Sequence, residues 1–331
     1  MQVMPKHQRK SLLPGGWLGF ALLFAWLAVG SVALFIASSS VHDLPFLAKI
    51  LAPFGDYIPG EKAMFSPLAY FSVLSVVAAL EYYRPAREQP IVSGRLFYDM
   101  LWYLTTLVLR VTLLGLYAGL LYSLYHRYLS FLDVEAAAAW HPAVRFLVAI
   151  LVADFTRWLA HLITHKVPFF WEFHAVHHSQ KELNFFTDAR VHPVDHMIAA
   201  TIKFIPLFMF DNALPYVMAW AIFETIFPKF YHANVRLNFG PLRYLLVTPQ
   251  SHRVHHAVAA QYRDKNFGFT FSIWDRIFGT QCKDCTVYPE TGIADPEFPH
   301  EHPASPVASI RDYIRQLIYP FTRLRRASRG G

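Results

Sequence analysis

The amino-acid sequence predicts an all-α integral membrane protein: about four transmembrane helices and a membrane hairpin, capped by a cytosolic helical domain that binds metal. Composition is the first reason. Of 331 residues, 54% are hydrophobic and only 16% charged, with a mean hydropathy of +0.27. Soluble domains carry about 25% charged residues. Apolar stretches long enough to cross a bilayer are the second reason. The third is histidine: eleven of the seventeen fall between His161 and His256, in clusters rather than singly.

A helix needs about 20 apolar residues to cross a bilayer. Trp17–Ser38 carries no charge and reads as the first span; it starts too far in, and lacks a small-residue cleavage site, for a signal peptide. The second, Ala63–Tyr83, ends at Arg84-Pro85-Ala86-Arg87. The third covers about Tyr98 to Tyr125 and contains Arg110, which must face other helices or snorkel. The fourth runs from Val144 to about Ile163, with Asp154, Arg157 and His161 in its second half. Polar groups at such depth line a site or pair with each other.

The stretch Ile198–Phe227 is apolar but interrupted by Pro206, Asp211-Asn212 and Pro215. Histidine clusters lie on both sides of it. If they build one site, the stretch must start and end on one side of the membrane, as a hairpin turning at Asp211-Asn212. Lys6, Arg9 and Lys10 place the N-terminus in the cytoplasm. An even number of crossings then returns the chain to the cytoplasm near His165, at a bacterial inner membrane or an endoplasmic-reticulum-type membrane.

Three regions follow: a three-span region over 1–143, a histidine-rich domain over 144–285, and a proline-rich, basic tail over 286–331. The tail reads as a loop followed by an interfacial amphipathic helix over Arg311–Arg326, with Tyr313, Leu317, Ile318 and Phe321 set against Arg311, Arg315, Arg323 and Arg326. The net charge of +7 is concentrated at the ends, which suits anionic lipid headgroups. No basic and aromatic groove pattern points to nucleic acid. Cys282 and Cys285 form a lone Cys-x-x-Cys; with no further ligands at suitable spacing, they read as ordinary loop residues.

The chemistry lies in the histidines. His161 and His165 are four apart, on one helical face. His174, His177 and His178 stand at i, i+3 and i+4, and His252, His255 and His256 repeat that spacing, so each triplet also shares a helical face. Neutral imidazole is the commonest protein metal ligand. One transition metal takes about four to six ligands, so eight clustered imidazoles point to two metals. His232 is a candidate ninth ligand and His192 a further candidate, which could instead hold a substrate headgroup; His196 reads as structural. Asp154, seven residues before His161, could fix the tautomer of a ligand imidazole or pair with Arg157. Asn234 is a second candidate for such support. Imidazole suits zinc, copper, iron and nickel alike. The absence of clustered thiolates argues against structural zinc, and a zinc hydrolase needs about three protein ligands.

These motifs resemble the fatty acid hydroxylase/sterol desaturase superfamily of membrane di-iron enzymes. Its HxxxH, HxxHH and HxxHH boxes stand here as His161–His165, His174–His178 and His252–His256. The surrounding text is similar too: Trp171-Glu172-Phe173 before the second box, Arg190-x-His192-Pro193, Thr248-Pro249 before the third, then Asn266-Phe267-Gly268 and Trp274-Asp275-x-x-Phe278-Gly279-Thr280. The resemblance covers roughly Leu151–Thr280 and favours His232 as a ligand. It implies two irons and O2 as co-substrate, acting on an unactivated C–H bond of a lipid to give an alcohol or an alkene. The substrate would be a membrane lipid such as a fatty acyl chain, sterol or hopanoid. Without a nucleotide fingerprint or fused haem domain, a separate ferredoxin or cytochrome-type electron donor is implied. Trp158, Phe169, Phe170, Phe185 and Phe186 would line a lipid channel or, as we read them, fill the core. The competing readings are a zinc-dependent membrane hydrolase and a non-catalytic lipid- or metal-binding member on the same scaffold.

Overall fold

The computed structural model describes residues 67–90, 95–210, 225–302 and 305–330. The expected first span, Trp17–Ser38, lies outside the described residues, as do the start of the second and the Asp211-Asn212 turn and Pro215 of the expected hairpin. Among the described residues no strand forms, and isolated β-bridges at Pro85–Val235, Leu246–Phe271 and Ala257–Thr291 join loop segments.

The first helices are α1 (Pro67–Tyr83), α2 (Leu96–Val111), α3 (Leu113–Tyr128) and α4 (Pro142–Lys166). The run expected as one span from Tyr98 to Tyr125 is therefore two helices. Its interruption is Thr112, whose backbone N–H and hydroxyl both turn back on the Val108 carbonyl, at 3.0 and 2.7 Å. A hydroxyl bonded to the carbonyl four residues back bends a helix. Among the described residues α4 alone has the length and apolarity to cross a membrane. Ser72–Tyr83 and Phe97–Leu109 are apolar but shorter.

The chain continues through α5 (Pro168–His178), α6 (Pro193–Phe208), a helical segment over 225–232, α7 (Pro249–His255), α8 (Ile273–Ile277) and α9 (Pro306–Gly330). Pro206 does not end the apolar stretch it was expected to break, because α6 runs through it. α4 packs on α5 and α6, α3 on α6, and α9 on α2 and α5. Ala149 and Ala153, one turn apart on α4, let Leu207 of α6 approach closely.

Six of the described helices begin at a proline, among them α4, α5, α6 and α7, at His141-Pro142, Val167-Pro168, His192-Pro193 and Thr248-Pro249. Proline suits the first helical position, where its missing N–H would have no partner. His141 and His192 cap their helices by accepting at Nδ1 from Ala143 and Val194 backbone N–H, at 3.3 and 3.1 Å. Thr248 forms a reciprocal capping box with Ser251. Val167, held extended by the following proline, turns the chain sharply between α4 and α5. That corner brings the histidine turns of the two helices together.

The tail is irregular over 286–302, as expected, and α9 extends beyond both ends of the expected Arg311–Arg326 helix. Tyr313 and Leu317 face inward rather than toward an interface, packing with Tyr98, Trp102, Val176 and Phe298. Beneath α9 the fully buried Arg190 bonds Glu301 at 3.0 Å and Gln316 at 3.3 Å, and lies 4.7 Å over the Tyr98 ring. Burial alone would raise the Glu301 pKa, but the Arg190 charge and hydrogen bonds, with Arg95, hold it at about 2. Phe185 and Phe186 pack with Leu74 and Tyr103 and Trp158 is buried, whereas Phe169 is half exposed.

Candidate metal centre

α4 contributes His161 and His165, α5 the triplet His174, His177 and His178, and α7 with its C-cap the triplet His252, His255 and His256. His232 ends the helical segment over 225–232. All nine are brought together, in two groups. The first holds His161, His165, His174, His178 and His255; the second holds His177, His232, His252 and His256. Within each group the ligand nitrogens all lie within 4.8 Å of one another.

The grouping divides each triplet between the two sites. His174 and His178 serve the first group while His177 reaches the second; His252 and His256 serve the second while His255 reaches the first. Each triplet faces one way, but that face straddles two sites. The residue at i+3 crosses over from both helices.

Hydrogen bonds behind the rings fix which nitrogen is free. The Nδ1–H groups of His161, His177, His232 and His255 donate to the carbonyls of Phe267 (2.9 Å), Arg190 (3.2 Å), Pro228 (2.8 Å) and Lys265 (2.8 Å). His174 Nδ1–H donates to the Asp195 carboxylate at 2.8 Å. Each of these imidazoles is therefore left with a lone pair on Nε2. The Nε2 atoms of His174 and His255 are buried and meet no hydrogen-bond partner. In the second group, His232 Nε2 lies 3.3 Å from His177 Nε2 and 2.8 Å from His252 Nε2. Nitrogens so close together, two of them on rings whose Nδ1–H is committed to a carbonyl, suit a shared cation. The donor set thus fits two metal ions.

Burial keeps six of these rings neutral. It pushes His255 down to about 3 and His232 to about 4. His177, His178, His252 and His256 are likewise driven well below the usual range by burial and then by neighbouring imidazoles. A neutral imidazole is the form that ligates.

Three sequence expectations are placed elsewhere. His192 joins neither group: besides capping α6 it donates from Nε2 to Leu317 O at 3.1 Å, linking α6 to α9. Asp154 accepts from the backbone N–H groups of Thr270 and Phe271 and from Trp274 Nε1, at 2.9, 3.1 and 2.9 Å, so it anchors the loop after α7. Asn234 braces the chain beside His232, accepting from Arg87 N at 3.0 Å and Arg253 Nη1 at 3.1 Å. Cys282 and Cys285 are free loop cysteines.

Two residues carry roles the sequence did not announce. Asp195, in the first turn of α6, accepts from the ring of His174 in the first group. Asp275 lies buried in α8 and accepts from Trp158 Nε1 (3.0 Å), Phe267 N (2.8 Å), Gly268 N (2.8 Å) and Thr280 Oγ1 (2.6 Å). It thereby holds the Phe267 carbonyl that orients His161. The Asp275 position stood in the quoted Trp274-Asp275 motif, but nothing in the motif gave it this task.

A cleft of about 670 Å³ opens onto the first group at His165, His178 and His255. Trp171, Glu172, Arg263 and Asp264 wall it, with the tail loop at Ile293, Asp295 and Glu297. The four rings of the second group are all buried. The two sites therefore differ in access.

The model of the fatty acid hydroxylase family matches residues 146–280, the stretch that carries all nine clustered histidines and both aspartates. Residues 146–280 are a fatty acid hydroxylase domain. Over 142 residues the chain is 32% identical to an ornithine lipid hydroxylase of Rhizobium tropici, covering 43% of each protein. It is 33% identical over 141 residues to human alkylglycerol monooxygenase, covering 43% of this chain and 31% of that one. With rat methylsterol monooxygenase 1 it shares 26% over 152 residues, 45% of this chain and 50% of the relative. The chain thus spans half or less of these relatives. No solved structure matches it. The fatty acid hydroxylase domain starts within α4 and closes on the Asp275 loop, so the shared region is the histidine cluster and its supports.

Proposed function

We propose that this chain is a di-iron oxygenase that hydroxylates an unactivated C–H bond of a membrane lipid. The observation that carries the reading is the sorting of nine clustered imidazoles into groups of five and four with lone pairs turned inward. A zinc hydrolase centre uses about three protein ligands and keeps one open position, which fits this set poorly. Iron accepts imidazole well. When bound, a reduced iron pair supplies oxygen activation and hydrogen removal from carbon.

The protein's own residues hold that chemistry in place. Asp195 and the carbonyls of Phe267, Lys265, Arg190 and Pro228 keep the ring tautomers that present Nε2. Burial keeps the rings of the second group neutral and limits water there. The cleft gives the first group its approach from outside. Reduction needs electrons from a separate donor of ferredoxin or cytochrome type. That the relatives are a hydroxylase and two monooxygenases favours hydroxylation over desaturation.

A membrane position is supported by α4 itself. Its first half exposes Val144, Phe146 and Leu147, while its last turns carry His161 and His165. In this reading α4 crosses the bilayer and the metal centre stands at its cytoplasmic end.

The test is metal content of detergent-purified protein by mass spectrometry, followed by lipid analysis under isotopically labelled oxygen gas. Two irons per chain and label in a lipid hydroxyl support the proposal. Zinc with little iron after iron-supplemented anaerobic preparation would favour the hydrolase alternative. Metal-free protein would overturn the centre.

A further inference from the structure

The loop before α7 and the helix α8 expose large apolar residues side by side. Leu242, Tyr244 and Leu245 are 58, 50 and 47% exposed, and Ile277 and Phe278 61 and 52%. The two segments are one surface, because Ser272 N donates to Leu245 O at 2.9 Å and Leu246 bridges to Phe271. Two arginines stand in it. The Arg243 and Arg276 guanidinium carbons lie 4.6 and 4.1 Å from the Tyr244 ring centroid, and neither has a carboxylate partner among the described residues.

This surface has a fixed height on α4. Phe278 stacks on Trp158 at 4.6 Å and on Phe155 at 6.0 Å, with Trp274 5.1 Å from Phe155. At 100° per residue, Val144, Leu147, Leu151, Phe155 and Trp158 share one stripe of α4. Its lower end, Val144 and Leu147, is exposed; its upper end meets the patch. From Pro142 to Trp158 a helix rises about 24 Å, close to the hydrocarbon thickness of about 30 Å. Aromatic rings and snorkelling arginines concentrate at that boundary.

We propose that Leu242, Tyr244, Leu245, Ile277 and Phe278, with Arg243 and Arg276, form a collar that seats in the headgroup layer and binds anionic phospholipid. The proposal rests on reading α4 as the membrane span. The occupant is set by charge and continuity: guanidinium groups that meet no carboxylate among the described residues, Arg243 being hydrogen-bonded to Gly240 O and Tyr244 Oη, lie beside exposed apolar rings joined to the exposed stripe of that helix. Each arginine near an anionic surface strengthens binding to that surface about fivefold. The collar fixes the depth of the metal centre, since His161 is one turn beyond Trp158, about 4.5 Å along the axis.

The test uses full-length protein in nanodiscs, with Cys282 and Cys285 replaced by serine and a polarity-sensitive fluorophore on Ile277→Cys, Leu147→Cys or Glu290→Cys. Bromine-labelled phosphatidylcholine should quench the probes at 277 and 147 but leave the exposed site at 290 unquenched. Bromine-labelled phosphatidylglycerol, at equal mole fraction, should quench the 277 probe more strongly than the choline lipid. That excess should vanish in Arg243→Gln/Arg276→Gln. Quenching at 147 with 277 open to aqueous iodide would overturn the collar and leave the span standing. No lipid quenching at either position would overturn both. Protection of 277 from lipid and iodide alike would mean that protein covers the patch, which also overturns the proposal. Equal quenching by both lipids would overturn its anionic preference.

Discussion

The imidazole of His178 lies face to face with that of His256, ring centroids 4.3 Å apart and planes 18° from parallel. The first belongs to the five-histidine group and the second to the four-histidine group. The two rings are the shared wall between the sites, and removing either opens one site into the other. We expect His178→Ala and His256→Ala each to lower bound iron and to reduce product formation by more than about a hundredfold, beyond the range seen when only a supporting residue is lost. His300→Ala, outside both groups, should do neither. Metal analysis with product assays on the three variants checks this; full activity in either ligand variant would sink the assignment.

Asp195 holds His174 through a buried 2.8 Å hydrogen bond. Asp195→Asn keeps the shape and removes the charge that makes the ring a stronger donor to metal. Iron affinity should fall about 10- to 100-fold while the apo-protein's secondary structure is retained. Competition with a calibrated chelator, alongside circular dichroism, measures both. Unchanged affinity would show that Asp195 does not tune the ligand.

Eight of the nine clustered histidines were legible in the sequence because a four-spaced pair and two triplets at i, i+3 and i+4 each share a helical face, whereas His232 was a lone candidate favoured by the family resemblance. The division into two groups was not legible, because spacing fixes direction from one helix and says nothing of where the opposing helix stops. His192 was a candidate to ligate or to hold a headgroup, and its actual role, capping α6 and bonding Leu317 O, depends on where α9 packs, which the sequence does not give. Asp195 was hidden because an acid in the first turn is ordinary helix chemistry. The interruption at Thr112 was invisible inside an unbroken apolar run, since a threonine bonding back to Val108 costs no hydrophobicity.

The Asp275 loop should be the least tolerant part of the domain outside the ligands. Asp275→Asn places an amide among four donors and leaves buried groups unpaired, so we expect a loss of about 3 kcal/mol or more. Gly268→Ala fails differently. Its Cβ would stand 2.7 Å from Phe271 O and 2.9 Å from Val247 Cγ2, so the backbone itself must move. Both variants should lower the melting temperature and iron content together, because the loop carries the carbonyls that orient His161 and His255. Thermal melts with metal analysis test this. A variant that melts lower yet binds iron normally would separate the loop from the centre.

The buried rings also set a pH dependence for the metal-free protein. In the unfolded chain their imidazoles take up protons near pH 6.5. In the folded chain burial holds His255 near 3 and His232 near 4, so both stay neutral. Below about pH 6.5 the unfolded state therefore binds more protons than the folded one, and stability falls as pH falls. The loss continues down toward the folded-state values of about 4 and 3. Apo-protein stripped with a chelator should melt several degrees lower at pH 5.5 than at pH 7.5. Iron-loaded protein should melt higher at both, since metal binding to the folded state adds stability. His255→Ala in the apo form should weaken the pH dependence while leaving its sign unchanged, because the other buried rings remain. An apo-protein that melts at the same temperature across this range would mean that the folded rings take up protons as the unfolded ones do, so that burial does not hold them neutral.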